Sequence, residues 1–280
     1  MQPTNSLFGL LSLLALGATS VFAHPSTNHL HRYPHEVIKR STADGATTTP
    51  APNATIANYH GVAATTYRTS GFGARTSPTT VAGNSEEYVG NVGNPWGSNI
   101  IIVDADVASE YKYTVRFMLD CDCDDTWFVS IWNKIGPDGL MDGWYGHSAV
   151  SFTLTDGDIV WVAFDENSQG AWGTAKGTSL PTDSYGGYDS TWGEFDFGDG
   201  ENSEWSGWDV SDIQAVNAGA TVQGMRICTA DFSQCSIITS NGDYVDNAYT
   251  PSTSSTGGIG GVLTAGAVTL WCRVDYVLGD

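Results

Sequence analysis

Trp127-Phe128-Val129-Ser130-Ile131-Trp132-Asn133 is a run of strand-favouring residues, and Gly136-Pro137-Asp138-Gly139, a strong turn signal, follows it almost at once. The same alternation recurs along the chain. Asn99–Val103, Tyr111–Leu119, Ser148–Leu154, Ile159–Phe164, Trp192–Phe197, Val222–Cys228, Cys235–Ile238 and Thr269–Val277 are short β-rich runs, with turn signals such as Asp156-Gly157 between them. Only Asp104–Lys112 and Val210–Asn217 read as helices, the second with Ser211 as its N-cap. The expected fold is therefore all-β, a single β-sandwich domain. Tryptophans recur from Trp127 to Trp208 at irregular spacings, which argues against a propeller or solenoid.

The 280 residues include 31 Asp+Glu against 11 Lys+Arg, a formal charge of −20. Neutralising phosphates takes clustered Lys and Arg, so this balance excludes a nucleic-acid-binding surface. It also disfavours anionic membranes. Neutral ligands, cationic ligands and other proteins remain as partners.

Leu7–Phe22 is a short apolar run closed by Val21-Phe22-Ala23, which reads as a signal peptide over 1–23 and implies secretion. No later segment is apolar enough for membrane insertion. Residues 24–40 hold His24, His29, His31 and His35 and end in the dibasic pair Lys39-Arg40, the pattern of a propeptide. Cutting there removes three basic residues and one acidic residue from a charge of −20, leaving −22. His24 as a new N-terminus could join His60 or His147 in a copper brace. The dibasic cut removes it, and neither metal nor cofactor is expected. Residues 41–82 are rich in Thr, Ala, Ser and Gly and read as a linker, with a glycosylation sequon at Asn53. The β domain is expected over 83–280.

Five cysteines in a secreted chain imply disulfides and one spare thiol. Cys228 and Cys235 lie seven apart between two apolar runs, a natural hairpin staple. Cys121 and Cys123 sit among acids in Asp120–Asp125, and one of them is expected to reach Cys272. The acidic turn lacks the Gly and terminal Glu of an EF-hand and reads as solvated.

From Gly90 onward several long strings carry a resemblance. They are Gly90-Asn91-Val92-Gly93-Asn94-Pro95-Trp96-Gly97-Ser98-Asn99, Trp132–Gly139, Gly143-Trp144-Tyr145-Gly146, Val162–Gly173, Thr191–Phe197 and Trp205–Ser211. Together they resemble the secreted fungal allergen family called Asp f 4-like. That family implies a His-rich leader and the Cys228–Cys235 pair, and is known mainly for IgE binding. At the level of fold, Trp192–Phe197, Trp208-Asp209-Val210-Ser211 and Val222–Met225 are similar to the central segment of thaumatin-like proteins. That likeness implies an acidic cleft with Glu194 at a strand end and Asp209 in the following turn; Gln214 stands where a further acid sometimes occurs.

Paired carboxylates are the machinery of glycoside hydrolysis, and Glu194 and Asp209 are the candidates, with Asp165, Glu166, Asp196 and Asp199 as competitors. Trp192, Trp205, Trp208, Trp144, Tyr145 and Trp172 stand next to small or polar residues, where a flat ring can stack on a sugar or on a partner protein. His147 is the histidine a Ser-His-Asp triad would need, but no nucleophile elbow, phosphate loop or zinc pattern accompanies it. The ligand-binding expectation thus rests on Trp192, Glu194, Trp205, Trp208, Asp209, Trp144 and Tyr145. The leading reading is extracellular binding to a host protein or a cell-wall polysaccharide. A β-glucan-active hydrolase and a structural cell-wall protein are the alternatives.

Overall fold

A computed structural model describes residues 66–76, 90–121 and 123–279. Ala23, Lys39, Arg40, Asn53, His24 and His60, and with them the expected leader and sequon, lie outside these residues. Thirteen strands are described: β1 (Ile100–Val103), β2 (Tyr113–Leu119), β3 (Trp127–Asn133), β4 (Val150–Leu154), β5 (Ile159–Phe164), β6 (Ser168–Lys176), β7 (Trp192–Asp199), β8 (Trp205–Ser211), β9 (Met225–Thr229), β10 (Cys235–Ile238), β11 (Val245–Asp246), β12 (Gly261–Leu263) and β13 (Val268–Val274). The single α-helix among the described residues, α1 (Ile213–Ala218), follows β8. One sheet runs β1-β5-β2-β13-β9-β10-β11 and the other β12-β8-β7-β6-β3-β4. Among the described strands, only the β2–β13 pairing is parallel. The β-sandwich expected from the sequence is present.

Alternation along the strands builds the core. On β2, Tyr113, Val115, Phe117 and Leu119 point between the sheets, and Phe195 and Phe197 of β7 and Trp208 and Val210 of β8 meet them from the other side. Trp172 of β6 stacks on Phe195 with ring centres 5.7 Å apart and meets Phe117 edge-on at 5.2 Å. Burying each such side chain contributes about 1.5–3 kcal/mol. Trp172 fits because its partner across the ladder is Gly193, where an added Cβ would lie 2.4 Å from the indole.

Several sequence expectations are corrected. Asp104–Lys112 is not an α-helix: a single 3-10 turn, Ala108–Glu110, forms there, and Tyr111 already turns extended to feed β2. Ser211 cannot cap α1, because it belongs to β8 and pairs with Trp192, and Asp212 holds the cap position. Cys121 bonds Cys123, and Cys272 is a free, buried thiol. Cys272 points into the core opposite Phe117, whereas both other cysteines lie beyond the end of β2. Cys228 and Cys235 do form their disulfide, as a register pair of the β9–β10 hairpin. Residues 66–76, read as linker, are tied to the sandwich. Arg68 N–H donates to the Glu110 carbonyl, Ala74 bridges Asn94, and Arg75 pairs with Asp165.

Two stability measurements check this packing. Gly193→Ala forces Trp172 to move and should cost about 1–3 kcal/mol, read as a lower urea midpoint at unchanged m-value. Replacing Cys228 and Cys235 by Ser should lower stability by about 2–3 kcal/mol on the chain-entropy account of a short loop. An unchanged midpoint in either variant would contradict the packing described.

Candidate functional site: the acid and aromatic face of the six-stranded sheet

The face of β6, β7 and β8 turned away from the core carries charge where most sheets carry solvated polar groups. Because β7 alternates, Phe195 and Phe197 point inward while Trp192, Glu194 and Asp196 point outward. The antiparallel register sets Glu194 directly opposite Asp209 of β8, and Asp196 opposite Gln169 of β6. Lys134, immediately after β3, is joined to Gln169 by a backbone hydrogen bond and completes the row.

These groups are buried. Glu194 is 6% exposed, Asp209 5% and Lys134 2%. The backbone of Gly260 packs over Asp209, where an added Cβ would lie 2.8 Å from the Asp209 Cβ. Tyr249 stands beside both carboxyls, its ring oxygen bonded to the backbone of Ile259. Burial pushes the Glu194 carboxyl up to about 7, against the opposing pull of its hydrogen bond to Asp209 and of the Lys134 charge. Asp209 is raised well above the usual carboxylate range by burial and by the Glu194 charge facing it. Two carboxyls bonded to one another in a dry setting cannot both ionise, so the pair holds a proton. Burial also lifts Asp196 to about 7, opposed by Asp199, by the Lys134 charge and by the Gln169 amide across the ladder.

Beside the carboxyls lies a second cluster of rings on the same face. Trp132 meets Tyr188 at 4.7 Å and Trp192 at 5.3 Å, and Trp144 meets Tyr145 at 5.5 Å and Trp192 at 6.2 Å. Trp192 Nε1 donates to the Tyr188 carbonyl, and the Tyr188 hydroxyl to the His147 carbonyl, fastening the covering loops. Asp142 and Asp189 on these loops are both raised, first by burial. Asp183 accepts from the Tyr185 and Gly187 amides and from Gln214 Nε2 of α1.

The structure thus brings together Trp192, Glu194, Asp209, Trp144 and Tyr145. Trp205 lies at the far end of β8, opposite Asp199. Trp208 is a correction: at 1% exposure its ring fills the inter-sheet core, because it is the cross-strand partner of Phe195 rather than of Glu194. Trp172 is likewise in the core. Glu194 and Asp209 lie within strands, not at a strand end and a turn. Asp165 and Glu166 belong elsewhere, Asp165 gripped by Arg75 and Asn91, and Glu166 paired with Lys112. His147 lies edge-on to Trp96. Among the described residues, no group of three or more His, Cys, Asp or Glu is disposed to hold a metal, and no helix is long and apolar enough to cross a membrane. Lys134, Trp132 and Tyr188 escaped the sequence reading. The alternation in Trp192-Gly193-Glu194-Phe195-Asp196-Phe197 was the available signal for the shared face of Trp192, Glu194 and Asp196.

A two-sheet sandwich with a buried carboxyl cluster on one outer face is the class of protein defined here. A family model for the Allergen Asp f 4-like domain matches residues 98–274, and the chain belongs to that family. Among its relatives is "Allergen Asp f 4" of Aspergillus fumigatus (strain ATCC MYA-4609 / CBS 101355 / FGSC A1100 / Af293), 52% identical over 210 residues. The alignment covers 75% of this chain and 64% of the relative, so the chain spans less than two thirds of that protein's length. The protein elicitor MoHrip2 from Magnaporthe oryzae is a structural neighbour at 14% identity and a TM-score of 0.37. The match covers 59% of this chain and 99% of that one, a likeness too slight to bear on function.

The carboxyl cluster makes stability depend on pH. A carboxyl whose folded value is raised contributes stability below its ordinary value near 4, and that contribution is lost as pH climbs through the folded value of about 7. Thermal unfolding should therefore occur at lower temperature at pH 8 than at pH 4. Glu194→Gln with Asp209→Asn should flatten the slope relative to wild type; equal slopes would exclude the pair as its source.

Proposed function

We propose that the protein is secreted and acts outside the cell by binding, through the loops that cover the acid and aromatic face of the six-stranded sheet. Its partner is a basic surface on a host protein or the hydroxyls of a cell-wall glycan. The observation that supports this reading is the rim of the covering loops, where Tyr145 is half-buried and Tyr185 60% exposed on the segments that carry Asp142, Asp183 and Asp189, while Trp144 and Trp192, 7% and 8% exposed, pack beneath them. Rings supply flat contact area, while carboxylates accept from sugar hydroxyls or attract Lys and Arg. A net charge of −20 favours the basic protein, because it steers encounter until salt screens it.

The proton-sharing pair favours a second reading, hydrolysis of β-glucan, since perturbed carboxyls gather at active sites. Against it, a retaining glycosidase keeps its two carboxyl groups about 5–5.5 Å apart. Glu194 and Asp209 are bonded to each other and covered by Gly260 and Tyr249.

The two readings part in one experiment. Binding to insoluble β-glucan and to basic protein columns should weaken about tenfold in Tyr145→Ala/Asp142→Asn. Glu194→Gln/Asp209→Asn should bind as wild type. Sugar release by the wild type that the second variant abolishes would replace binding with hydrolysis.

A further inference from the structure

The seven-stranded sheet has an outer face of the opposite character. Its register places Trp161 of β5, Arg116 of β2 and Trp271 of β13 side by side, and Arg273 of β13 beside Arg226 of β9. Outward positions on β1, β5, β2, β13 and β9 carry these three arginines and no carboxylate. The guanidinium of Arg116 lies 4.8 Å from the centre of the Trp271 ring. Arg226 lies 4.4 Å from that of Tyr276 and 5.7 Å from that of Phe232, whose ring meets Trp271 edge-on at 5.3 Å. Arg273 reaches Asp120 at the end of the sheet. Arg68, Arg75, Lys112 and Lys176 also have carboxylate partners. Arg116 and Arg226 have none within salt-bridge distance among the described residues, in a chain where acids outnumber bases nearly three to one.

We propose that this face binds a polysaccharide carrying carboxylates on its sugar rings, with Trp271 and Phe232 stacking on the pyranose faces and Arg116 and Arg226 taking the carboxylates. Phe232 stands 45% exposed above the sheet, so a flat ligand meets a ring as well as the arginines. A guanidinium held over an aromatic ring can take a carboxylate along its edge; in Arg116, Nη1 donates to Met118 Sδ at 3.0 Å, which leaves the Nε and Nη2 side for a two-pronged bond. Trp161 and Trp271, two strands apart, are separated by about 9.6 Å with Arg116 between them, a spacing suited to an extended polymer. An acidic peptide is disfavoured, because a sheet face, unlike a sheet edge, offers no backbone groups to pair with a peptide's own. The distant acids do not prevent binding: at physiological salt the Debye length is about 8 Å, so they are screened while contact pairs persist.

The test is titration of the full chain with oligogalacturonate at about 0.15 M salt, beside its methyl ester, a neutral β-glucan oligomer and polyglutamate. The expected result is binding to oligogalacturonate at least about tenfold tighter than to the other three. Arg116→Gln/Arg226→Gln should lose that preference while unfolding at the wild-type temperature. Equal binding of the methyl ester would show that charge is not read. Equal binding of polyglutamate would make the partner an acidic polypeptide. Failure of oligogalacturonate to bind, or an unchanged affinity in the double variant, would overturn the proposal outright; the ester comparison decides it even if the variant misfolds.

Discussion

The register of β7 against β8 decides both faces of the six-stranded sheet at once. Setting Glu194 opposite Asp209 also sets Phe195 opposite Trp208, because side chains alternate with a period of two. One face then supplies the largest rings of the core, and the other gathers two carboxyls that must share a proton. A one-residue slip would expose Phe195 and Trp208 and drive the acids between the sheets. The apolar stack makes that slip costly, and so holds the acids in a dry position they would otherwise leave for water.

The two outer faces follow from different solutions to a shortage of cations. On the six-stranded sheet, burial is offset by protonation, by Lys134 and by the carboxyl–carboxyl contacts of Glu194 with Asp209 and of Asp196 with Asp199. On the seven-stranded sheet, arginines are held by rings instead of by acids. The sandwich therefore buries an acid and aromatic layer against the outside of one sheet and carries arginines and rings on the outside of the other, although its overall charge is strongly negative.

Strands rich in Val, Ile and Phe were legible from the sequence: β3, β5 and β10 fall where their composition puts them. β6 was not, because Ser168-Gln169-Gly170-Ala171-Trp172-Gly173-Thr174 has little β-branched content. Its small residues make sense only beside the rings they accommodate. Gly170 lies against the Trp132 carbonyl and the Phe195 ring, and Gly173 against Leu180 and Trp132. β8 was hidden for a related reason: Trp205-Ser206-Gly207-Trp208-Asp209 looks polar and turn-like, yet Trp208 and Val210 are its inward positions. Glu194 and Asp209 were singled out together, but their direct apposition is a property of register, which one strand's sequence does not specify. The same holds for Cys272, whose inward position on β13 keeps it from any partner in the loop after β2.

The claim that Glu194 and Asp209 hold one proton between them is tested most directly by following their side-chain carboxyl carbons by NMR as pH is raised. The account predicts that Glu194 titrates near 7, that Asp209 stays protonated to higher pH than a free carboxyl, and that Glu194→Gln lowers the Asp209 midpoint by removing the facing charge. Both carbons titrating near 4, as exposed carboxyls do, would contradict it.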